Sequence, residues 1–449
     1  MAEASRTAWR RFDELCYEGF RYRVRSNRLC VSFSFRLGDS LVFRPRSSFP
    51  ITPPVPAKEV LDLLVFSLGL IELVSYWKAA CPPRIRIEAG YLSDEQIAWW
   101  KRLYFRGLGE FFYRNGIAVT EEELAEIRAS GPRYSPFRRR DGVGTLVPVG
   151  GGKDSFVTLD LLCSREQEPV TPFLLNSSWE QRNTVAFFGF PSSRTAGARR
   201  TIDPLLLELN RQGFWNGHTP FSALLAFAAL LTAVTLGKQW IVLSNEASAD
   251  EPTVFGTEIN HQYSKSFAFE RDFTEYTARW VTPSVGYFSL LRPWNELRIA
   301  ERFARIPGAL ERFRSCSSPG RSWCARCAKC LFVALILSPF VEKRRLDKVF
   351  GRELLEDPSL APLFLSLLGG EGSKPFACVG TTAESRAAAA ALLRQPRPPL
   401  LVRLAKERGL LGSGTPSMEE LLTFWNPNHG VPPEFLPLLR ASRPVPVSP

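Results

Sequence analysis

The 449-residue chain lacks an apolar segment that reads as a membrane span. Its most apolar stretch, Ala223–Gly237, is shorter than the ~20 residues that a spanning helix needs, and it contains two threonines. The first twenty residues also lack the charged, then apolar, then small-residue pattern of a secretory signal. We therefore expect a cytoplasmic protein with no membrane partner, in which Ala223–Gly237 is a buried helix.

The chain also lacks the cysteine pattern of a disulfide-bonded protein, because its nine cysteines are an odd number and four of them cluster. Such a pattern indicates a reduced compartment and a metal site. The formal net charge is +12. This charge either reflects a merely arginine-rich proteome or favours an anionic partner, such as a nucleotide, a phosphorylated metabolite, a nucleic acid or a membrane surface.

Apolar runs alternate with helical runs between residues 141 and 345. The runs TLVPV, VTPFLLN, TVAFFGF and WIVLS predict strands, and helices are expected to begin near Ser155 and Pro204. This alternation is typical of an α/β fold, in which helices cover both faces of a parallel sheet. We expect an N-terminal α+β region over residues 1–140, the α/β domain over 141–345 and a mainly helical C-terminal region over 346–449.

The two flanking regions contain clear local signals. The run RLCVSFSFRL alternates like a half-buried strand, and residues 57–80 and 93–116 read as helices with Ser93 as a cap. Near the C-terminus, Thr381 and Glu384 have the spacing of a capping box before another helix.

The segment LVPVGGGKDSF places three glycines between a predicted strand and a predicted helix. It is not a Walker loop, because Val147 stands where the first glycine is required, and it is not a dinucleotide fingerprint, because Ser155 takes the place of the last glycine. What remains is a tight loop whose bare amides can surround phosphate oxygens at a helix N-terminus. Lys153 would neutralise charge there, and Ser155 would bond a phosphate and cap the helix.

The clustered cysteines have the spacing C-x7-C-x2-C-x2-C. They are Cys316, Cys324, Cys327 and Cys330. Four thiolates this close can surround one tetrahedral ion, and a closed site of this kind is structural. Zinc is favoured, because ferredoxin-type runs have their fourth cysteine downstream, but an iron–sulfur cluster stays open. We expect the other five cysteines to be small buried apolar residues.

A polar stretch follows the WIVLS run, at what would be the carboxyl edge of the sheet, where ligands bind in open α/β folds. Asp250 and Glu251 read as a solvated acidic turn, whereas Glu246 could also hold Mg²⁺. The segment NHQYSKS contains one of only three histidines in the chain. Further on, Arg292 would either clamp an anionic group or pair with Glu296.

These motifs carry a resemblance to known enzymes. GGGKDS resembles the S-G-G-x-D-S pyrophosphate loop of ATP pyrophosphatases, with Gly150 in place of the leading serine. The four clustered cysteines are similar to the zinc site of those pyrophosphate-loop enzymes that make 7-cyano-7-deazaguanine. In order, VPVGGGKDS, SNEAS, NHQYSKS, YFSLLRP and WCARCAKCLF resemble the UDP-N-acetylmuramoyl-L-alanyl-L-glutamate epimerases of bacterial peptidoglycan synthesis. The resemblance covers about residues 140–345 and extends more weakly to KPFACVGT and the N-terminal region.

The resemblance implies a pyrophosphate-loop core and an ATP-dependent epimerase. Such an enzyme would activate the terminal L-glutamate of a UDP-muramoyl dipeptide as an acyl-adenylate, invert it to D-glutamate and release AMP and pyrophosphate. ATP and Mg²⁺ would be used, and the cysteines would hold structural Zn²⁺. The implied nucleotide-binding residues are Gly150, Gly151, Gly152, Lys153, Asp154, Ser155, Asn176 and Ser244.

The acid/base residues would come from the NHQYSKS segment, in the order His261, Tyr263, Lys265, and Arg292 would bind the substrate. Whether one base or two act stays open, as does the oligomeric state. Two other functions compete with this one. The first is an adenylating enzyme of the same superfamily that acts on tRNA or a deazapurine. The second is a zinc-ribbon protein that binds nucleic acid. If the chain is an epimerase, no nucleic-acid partner is expected.

Overall fold

A computed structural model of the chain describes residues 12–139, 142–165, 169–316, 318–370, 372–412 and 414–442. Within these ranges the strands are β1 (Glu14–Arg25), β2 (Arg28–Leu37), β3 (Leu41–Phe43), β4 (Arg46–Pro50), β5 (Arg84–Ile87), β6 (Glu126–Ala129), β7 (Thr145–Pro148), β8 (Val170–Leu175), β9 (Ala196–Thr201), β10 (Trp240–Leu243) and β11 (Gly286–Ser289).

The helices in the same ranges fall into three groups along the chain. Those before β7 are α1 (Lys58–Trp77), α2 (Asp94–Gly107) and α3 (Gly109–Arg114). Those between β7 and the cysteine cluster are α4 (Lys153–Cys163), α5 (Trp179–Phe187), α6 (Pro204–Arg211), α7 (Phe221–Thr235), α8 (Phe267–Trp280) and α9 (Glu296–Ala304). The C-terminal helices are α10 (Ala328–Leu337), α11 (Lys343–Phe350), α12 (Ala361–Leu367), α13 (Thr382–Leu392), α14 (Leu400–Glu407), α15 (Met418–Thr423) and α16 (Leu436–Ala441).

The strands join into one sheet in the order β11-β10-β7-β8-β9-β4-β2-β1-β5-β6, with β3 beside β2. The five strands from β11 to β9 are parallel, as the α/β prediction requires. β4 then pairs antiparallel with β9, so the N-terminal strands extend the same sheet. The predicted domain boundaries at residues 140 and 345 stay predictions. The sheet continues across the first of them, because β4 and β9 are hydrogen-bonded to each other.

The parallel strands have a topological switch point at β7. The chain moves from β7 to β8 on one side and places β10 on the other. Crevices form at the carboxyl edge of such a point, because the two neighbouring connections diverge there. The glycine loop follows β7 and Ser244 follows β10, so the fold places two of the predicted nucleotide-binding segments beside this crevice.

Each face of the sheet has its own core, because side chains alternate along a strand. In β7, Leu146 lies in a core shared with α1, α2 and α7, whereas Val147 lies in a core shared with α9, α10 and the C-terminal helices. Ile241 and Val242 of β10 divide in the same way. Helices therefore cover both faces of the parallel strands, as predicted.

One strand prediction is wrong. The TVAFFGF run, residues 184–190, mostly lies in α5, which begins after a capping box formed by Ser178 and Gln181. The third parallel strand is instead β9, whose sequence AGARRT has little apolar character. β9 is held by partners on both sides, β8 and β4, so pairing rather than hydrophobicity defines it.

Several other elements agree with the sequence. α2 begins after a capping box of Ser93 and Gln96, and α13 begins after the predicted box of Thr381 and Glu384. The prediction of a buried helix over Ala223–Gly237 is confirmed up to Thr235, where α7 ends. The longer helix α1 does have the length and composition of a membrane span, but 89% of its apolar window is buried, which is the environment of a core helix.

A buried ion pair connects α1 to β9. Arg200 donates two hydrogen bonds, of 2.7 and 2.8 Å, to the carboxylate of Glu72. Both side chains are largely buried, so neither charge has water as an alternative partner. The pair therefore stabilises the packing of the N-terminal region on the parallel strands.

We predict that Glu72→Gln lowers the free energy of unfolding by about 3–5 kcal/mol, because it leaves the buried Arg200 without a counter-charge. The exposed pair between Glu208 and Arg211 provides the control, and Glu208→Gln should change the free energy by less than about 0.5 kcal/mol. Urea unfolding of both variants measures the difference. Equal losses would contradict a specific role for the buried pair.

Candidate active site

The glycine loop joins β7 to α4, and close packing demands two of its three glycines. Gly151 has φ +90°, and a Cβ there would lie 2.5 Å from the Cβ of Glu180. A Cβ on Gly152 would lie 2.8 Å from the Oγ of Ser315. Gly150 is different, because the nearest atom to a Cβ there would be 3.7 Å away. Neighbouring residues therefore pack closely against Gly151 and Gly152, whereas the space beside Gly150 is free.

Ser155 closes the loop from the inside. The amide of Gly150 donates a 2.9 Å hydrogen bond to the Ser155 Oγ, while Gly152 occupies the N-cap position of α4. The predicted capping by Ser155 is therefore a bond across the loop and not a bond at the N-cap. A helix N-terminus that follows a glycine loop is a favourable place for an anion.

Lys153, in the first turn of α4, is buried among carboxylates. Its Nζ forms ion pairs with Asp154 and with Glu296, which begins α9. Burial lowers the pKa of Lys153, but the two carboxylates and Glu246 raise it by more, so the ammonium stays charged. Its charge is thus balanced before any phosphate arrives.

A cavity of about 280 Å³ opens over the loop at the switch point. It is lined by Pro148, Gly150, Gly152, Lys153, Asp154, Ser155, Ser222, Leu225, Leu243, Ser244, Asn245, Glu246, Gln262, Lys265, Glu296, Ser315, Lys329, Phe332, Val333 and Cys378. The Oγ of Ser244 is buried in it without a hydrogen-bond partner. Burial and the nearby Asp154 raise the pKa of Glu246 to about 7. The cavity therefore has polar groups that are free to meet a ligand.

Five of the predicted nucleotide-binding, acid/base and substrate-binding residues lie away from this lining, namely Gly151, Asn176, His261, Tyr263 and Arg292. Asn176 follows β8, and its side chain bonds the backbone of Arg200. Tyr263 packs edge-on against Phe269 in the core, where burial raises its pKa to about 12.

Arg292 is fully buried below the cavity. It donates to the backbone oxygens of Glu246 and Lys265 and to the carboxylate of Glu270. Arg292 therefore fixes two cavity-lining residues from behind. Its predicted contact with substrate stays a prediction.

The acidic turn is confirmed for the two residues assigned to it. Asp250 accepts a hydrogen bond from the backbone of Phe267 at the start of α8, and Glu251 pairs with Lys374. Both carboxylates are thus occupied by structural partners. Glu246 is the member of the acidic stretch that lines the cavity.

His261 belongs to a cluster with Glu110 and His218. The Nδ1 atoms of both imidazoles face the same carboxylate oxygen of Glu110, and the two ring centroids are 4.7 Å apart. Burial lowers the pKa of His261, but Cys378 and Glu110 raise it by more, to about 9. Burial and the neighbouring His261 lower the pKa of His218 to about 4. The cluster therefore carries its proton on His261.

Cys378 is the cavity residue that sequence reasoning missed. The sequence predicts a small buried apolar cysteine at this position, but the Sγ of Cys378 lies 3.2 Å from the Nζ of Lys265. Burial raises the pKa of this thiol, but Lys265, His261 and Lys329 lower it by more, to about 5. The available sequence signal is the KPFACVGT segment, which is a weak part of the resemblance and implies no role for Cys378.

The other unclustered cysteines show how different Cys378 is. Cys16 and Cys81 are buried as expected, whereas Cys163 is exposed, contrary to the expectation for it. Burial raises the pKa of Cys16 to about 12.

The four clustered cysteines come together as the spacing predicted. Their sulfur atoms all lie within 4.8 Å of one another. Three of the separations are 3.5, 3.7 and 3.9 Å, close to the edge of about 3.8 Å expected for a tetrahedron with Zn–S bonds of about 2.3 Å. The donor set is four thiols and therefore fits a structural zinc ion.

The cysteine cluster is packed against the glycine loop. The amide of Arg314 donates a 3.2 Å hydrogen bond to the carbonyl of Gly151, and its guanidinium pairs with Glu180, the residue that crowds Gly151. Ser315 crowds Gly152 in the same way, and Cys316 follows directly. An ion bound by the cysteines would therefore stabilise one wall of the candidate active site.

Comparison with known proteins matches two family models to the chain. The MurL N-terminal domain matches residues 6–290, and the MurL C-terminal domain matches residues 311–405. No solved structure matches.

Three curated relatives carry the same name, UDP-N-acetyl-alpha-D-muramoyl-L-alanyl-L-glutamate epimerase. The relative from Xanthomonas oryzae pv. oryzae is 39% identical over 72% of this chain and 73% of its own length. The one from Salinispora tropica is 36% identical over 84% of both chains. The one from a Micromonospora species is 38% identical over 77% of this chain and 79% of its own.

We predict that Gly151→Ala lowers the free energy of unfolding by about 1–3 kcal/mol, because the new Cβ would be strained at positive φ and would meet Glu180. Gly150→Ala should cost less than about 0.5 kcal/mol, because its site is open. Chemical denaturation of the two variants tests this difference within one loop. Equal stability would show that the loop is not held as described.

A second prediction concerns the cysteine cluster. The purified chain should contain one metal ion, and dialysis against a chelator should lower the midpoint of thermal unfolding, because the ion binds only the folded site. Cys327→Ser should lose the metal, whereas Cys163→Ser, outside the cluster, should keep it. Elemental analysis identifies the ion and decides between zinc and iron. Equal metal content in both variants would contradict the assignment.

Proposed function

The chain belongs to the family of UDP-N-acetyl-alpha-D-muramoyl-L-alanyl-L-glutamate epimerases, and on this basis we propose that it inverts the terminal L-glutamate of UDP-N-acetylmuramoyl-L-alanyl-L-glutamate to D-glutamate in an ATP-dependent reaction. The enzyme is thus an isomerase of peptidoglycan precursor synthesis. ATP would be converted to AMP and pyrophosphate through an acyl-adenylate of the glutamyl group. The observation that carries the ATP-dependent part is the glycine loop at the switch point, with a cavity above it.

Activation of the carboxylate explains why an epimerase would need ATP. The α-proton of glutamate is very weakly acidic, because its removal places two negative charges side by side. ATP supplies an AMP group that neutralises the carboxylate and makes its carbonyl electron-withdrawing. A modest base can then remove the proton, and reprotonation on the opposite face gives the adenylate of the D-isomer. Water would then hydrolyse this adenylate to the free D-glutamyl carboxylate and AMP.

The residues of the loop fit a bound triphosphate. The glycine loop and the start of α4 would face the phosphates, and the unpartnered Oγ of Ser244 would donate to the nucleotide. Asp154 and Glu246 are the carboxylates that would hold Mg²⁺, because both line the cavity. Lys153 would position these carboxylates. Asn176 would contribute at the far end of the nucleotide, beside β8.

The polar groups on the other side of the cavity would act on the substrate. Lys265 lines the cavity, and His261 lies behind it with Glu110. Tyr263 remains the weakest of the predicted acid/base residues, because it packs into the core. Arg292 would act by fixing Glu246 and Lys265, and the cysteine cluster would be a structural zinc site.

Chiral analysis of the product tests the proposal. With UDP-N-acetylmuramoyl-L-alanyl-L-glutamate, D-glutamate should form only when ATP and Mg²⁺ are present, together with AMP and pyrophosphate. Asp154→Asn should lower pyrophosphate release by about 100-fold or more, as expected when a ligand of the Mg²⁺ ion that stabilises the reacting phosphates is lost.

Asp160→Asn is the matched control, because Asp160 lies in the same helix but pairs with Arg302 outside the cavity. It should keep nearly full activity. Inversion without ATP would remove the adenylate step from the proposal. Pyrophosphate release only with tRNA or a deazapurine would point to a different adenylating enzyme.

A further inference from the structure

Cys378 has surroundings that a structural cysteine does not require. It lines the cavity beside the glycine loop, and Lys265 Nζ lies 3.2 Å from its sulfur. His261, whose Nδ1 faces Glu110, is a second neighbouring cation, and its charge favours the thiolate of Cys378. Glu110, His261 and Cys378 are thus electrostatic neighbours, and Cys378 is the one of the three that lines the cavity.

The segment that carries Cys378 is fixed in place by the acidic turn. The amide of Lys374 donates a 2.8 Å hydrogen bond to the carbonyl of Thr253, and its Nζ pairs with Glu251. Val254 and Ser373 form a β-bridge beside these contacts. The C-terminal region therefore places a thiol beside groups that follow β7 and β10 and groups that belong to α9.

The protonation states of the neighbouring groups decide which of them can accept a proton. His261 is held as an imidazolium by Glu110 and Cys378, and Cys378 raises the pKa of Lys265, which keeps its ammonium charged. Tyr263 is protonated and lies outside the cavity. The pKa of the Cys378 thiol is lowered instead, because the cations around the sulfur favour the thiolate over the thiol.

We propose that Cys378 is the catalytic base that removes the α-proton of the activated glutamyl group, and that Lys265 and His261 are positioning residues that hold its sulfur as a thiolate. This inference rests on the proposed function and goes beyond it by naming the base. It replaces His261 as the first acid/base candidate.

The step balances without any further reactant. The thiolate sulfur takes the proton from Cα, and the electron pair of the broken C–H bond is held by the activated carbonyl. A proton from solvent then adds to the opposite face of Cα, and the thiol returns its proton to solvent. The product therefore carries a solvent-derived hydrogen on the inverted carbon.

Isotope exchange tests the proposal in the full-length enzyme. In D₂O with ATP, Mg²⁺ and the muramoyl dipeptide, the wild-type protein should form D-glutamate with deuterium at Cα. Cys378→Ser should lower both inversion and deuterium incorporation by about 100-fold or more, whereas ATP-dependent AMP formation should stay near the wild-type rate. Cys163→Ser, which changes an exposed cysteine, should retain all three activities.

The possible outcomes separate the two proposals. If wild-type protein does not invert the dipeptide with ATP, the proposed function itself fails and the base assignment fails with it. If Cys378→Ser makes AMP and still exchanges deuterium at the wild-type rate, only the base assignment fails. A glutamyl thioester on Cys378, found by mass spectrometry of acid-quenched enzyme, would also overturn it, because the sulfur would then be a nucleophile.

A titration tests the positioning residues independently of turnover. Alkylation of Cys378, followed by peptide mapping, should have a pH midpoint near 5. The charged groups that face the sulfur are Lys265, His261 and Lys329. Lys265→Met should move the midpoint up toward the ordinary thiol value of about 8.5, because the nearest cation is removed. An unchanged midpoint would show that Lys265 does not hold the thiolate.

Discussion

The candidate active site depends on the burial of Lys153 among carboxylates. A buried charge is tolerated only when it is paired, so Asp154 and Glu296 must reach the same ammonium group. Asp154 comes from the start of α4 and Glu296 from the start of α9, and Glu384 of α13 bonds the Glu296 amide at 2.6 Å. These interactions join α4, α9 and α13 at the carboxyl edge of the sheet. They also place charged side chains along one side of the cavity.

The glycine loop is shaped as much by what packs behind it as by its own sequence. Glu180 and Ser315 approach Gly151 and Gly152 so closely that neither position has room for a side chain, and Arg314 bonds the loop backbone. Because Arg314 and Ser315 lead directly into Cys316, the cysteine cluster and the loop form one structural unit. The open position, Gly150, is the one where the pyrophosphate-loop pattern that the sequence resembles has serine, and a Cβ there would meet no atom closer than 3.7 Å.

The groups around the cavity illustrate how neighbours set chemical roles. A histidine was the obvious base from the sequence, because its unperturbed pKa lies near neutrality. In the structure Glu110 favours the protonated imidazole, and this cation in turn favours the thiolate of Cys378. A residue type therefore does not define an acid or a base until its surrounding charges are known.

The sequence by itself determined the features that depend on neighbouring residues along the chain. These include the helix caps at Ser93 and Thr381, the strand–loop–helix around the glycines, and the four-cysteine cluster, since each is defined within about twenty residues. Only the tertiary structure decided that β9 is a strand, that Arg292 is buried and that Cys378 meets Lys265, 113 residues away. Strand pairing, burial and protonation depend on groups from distant segments, and local patterns carry no record of which segments will meet.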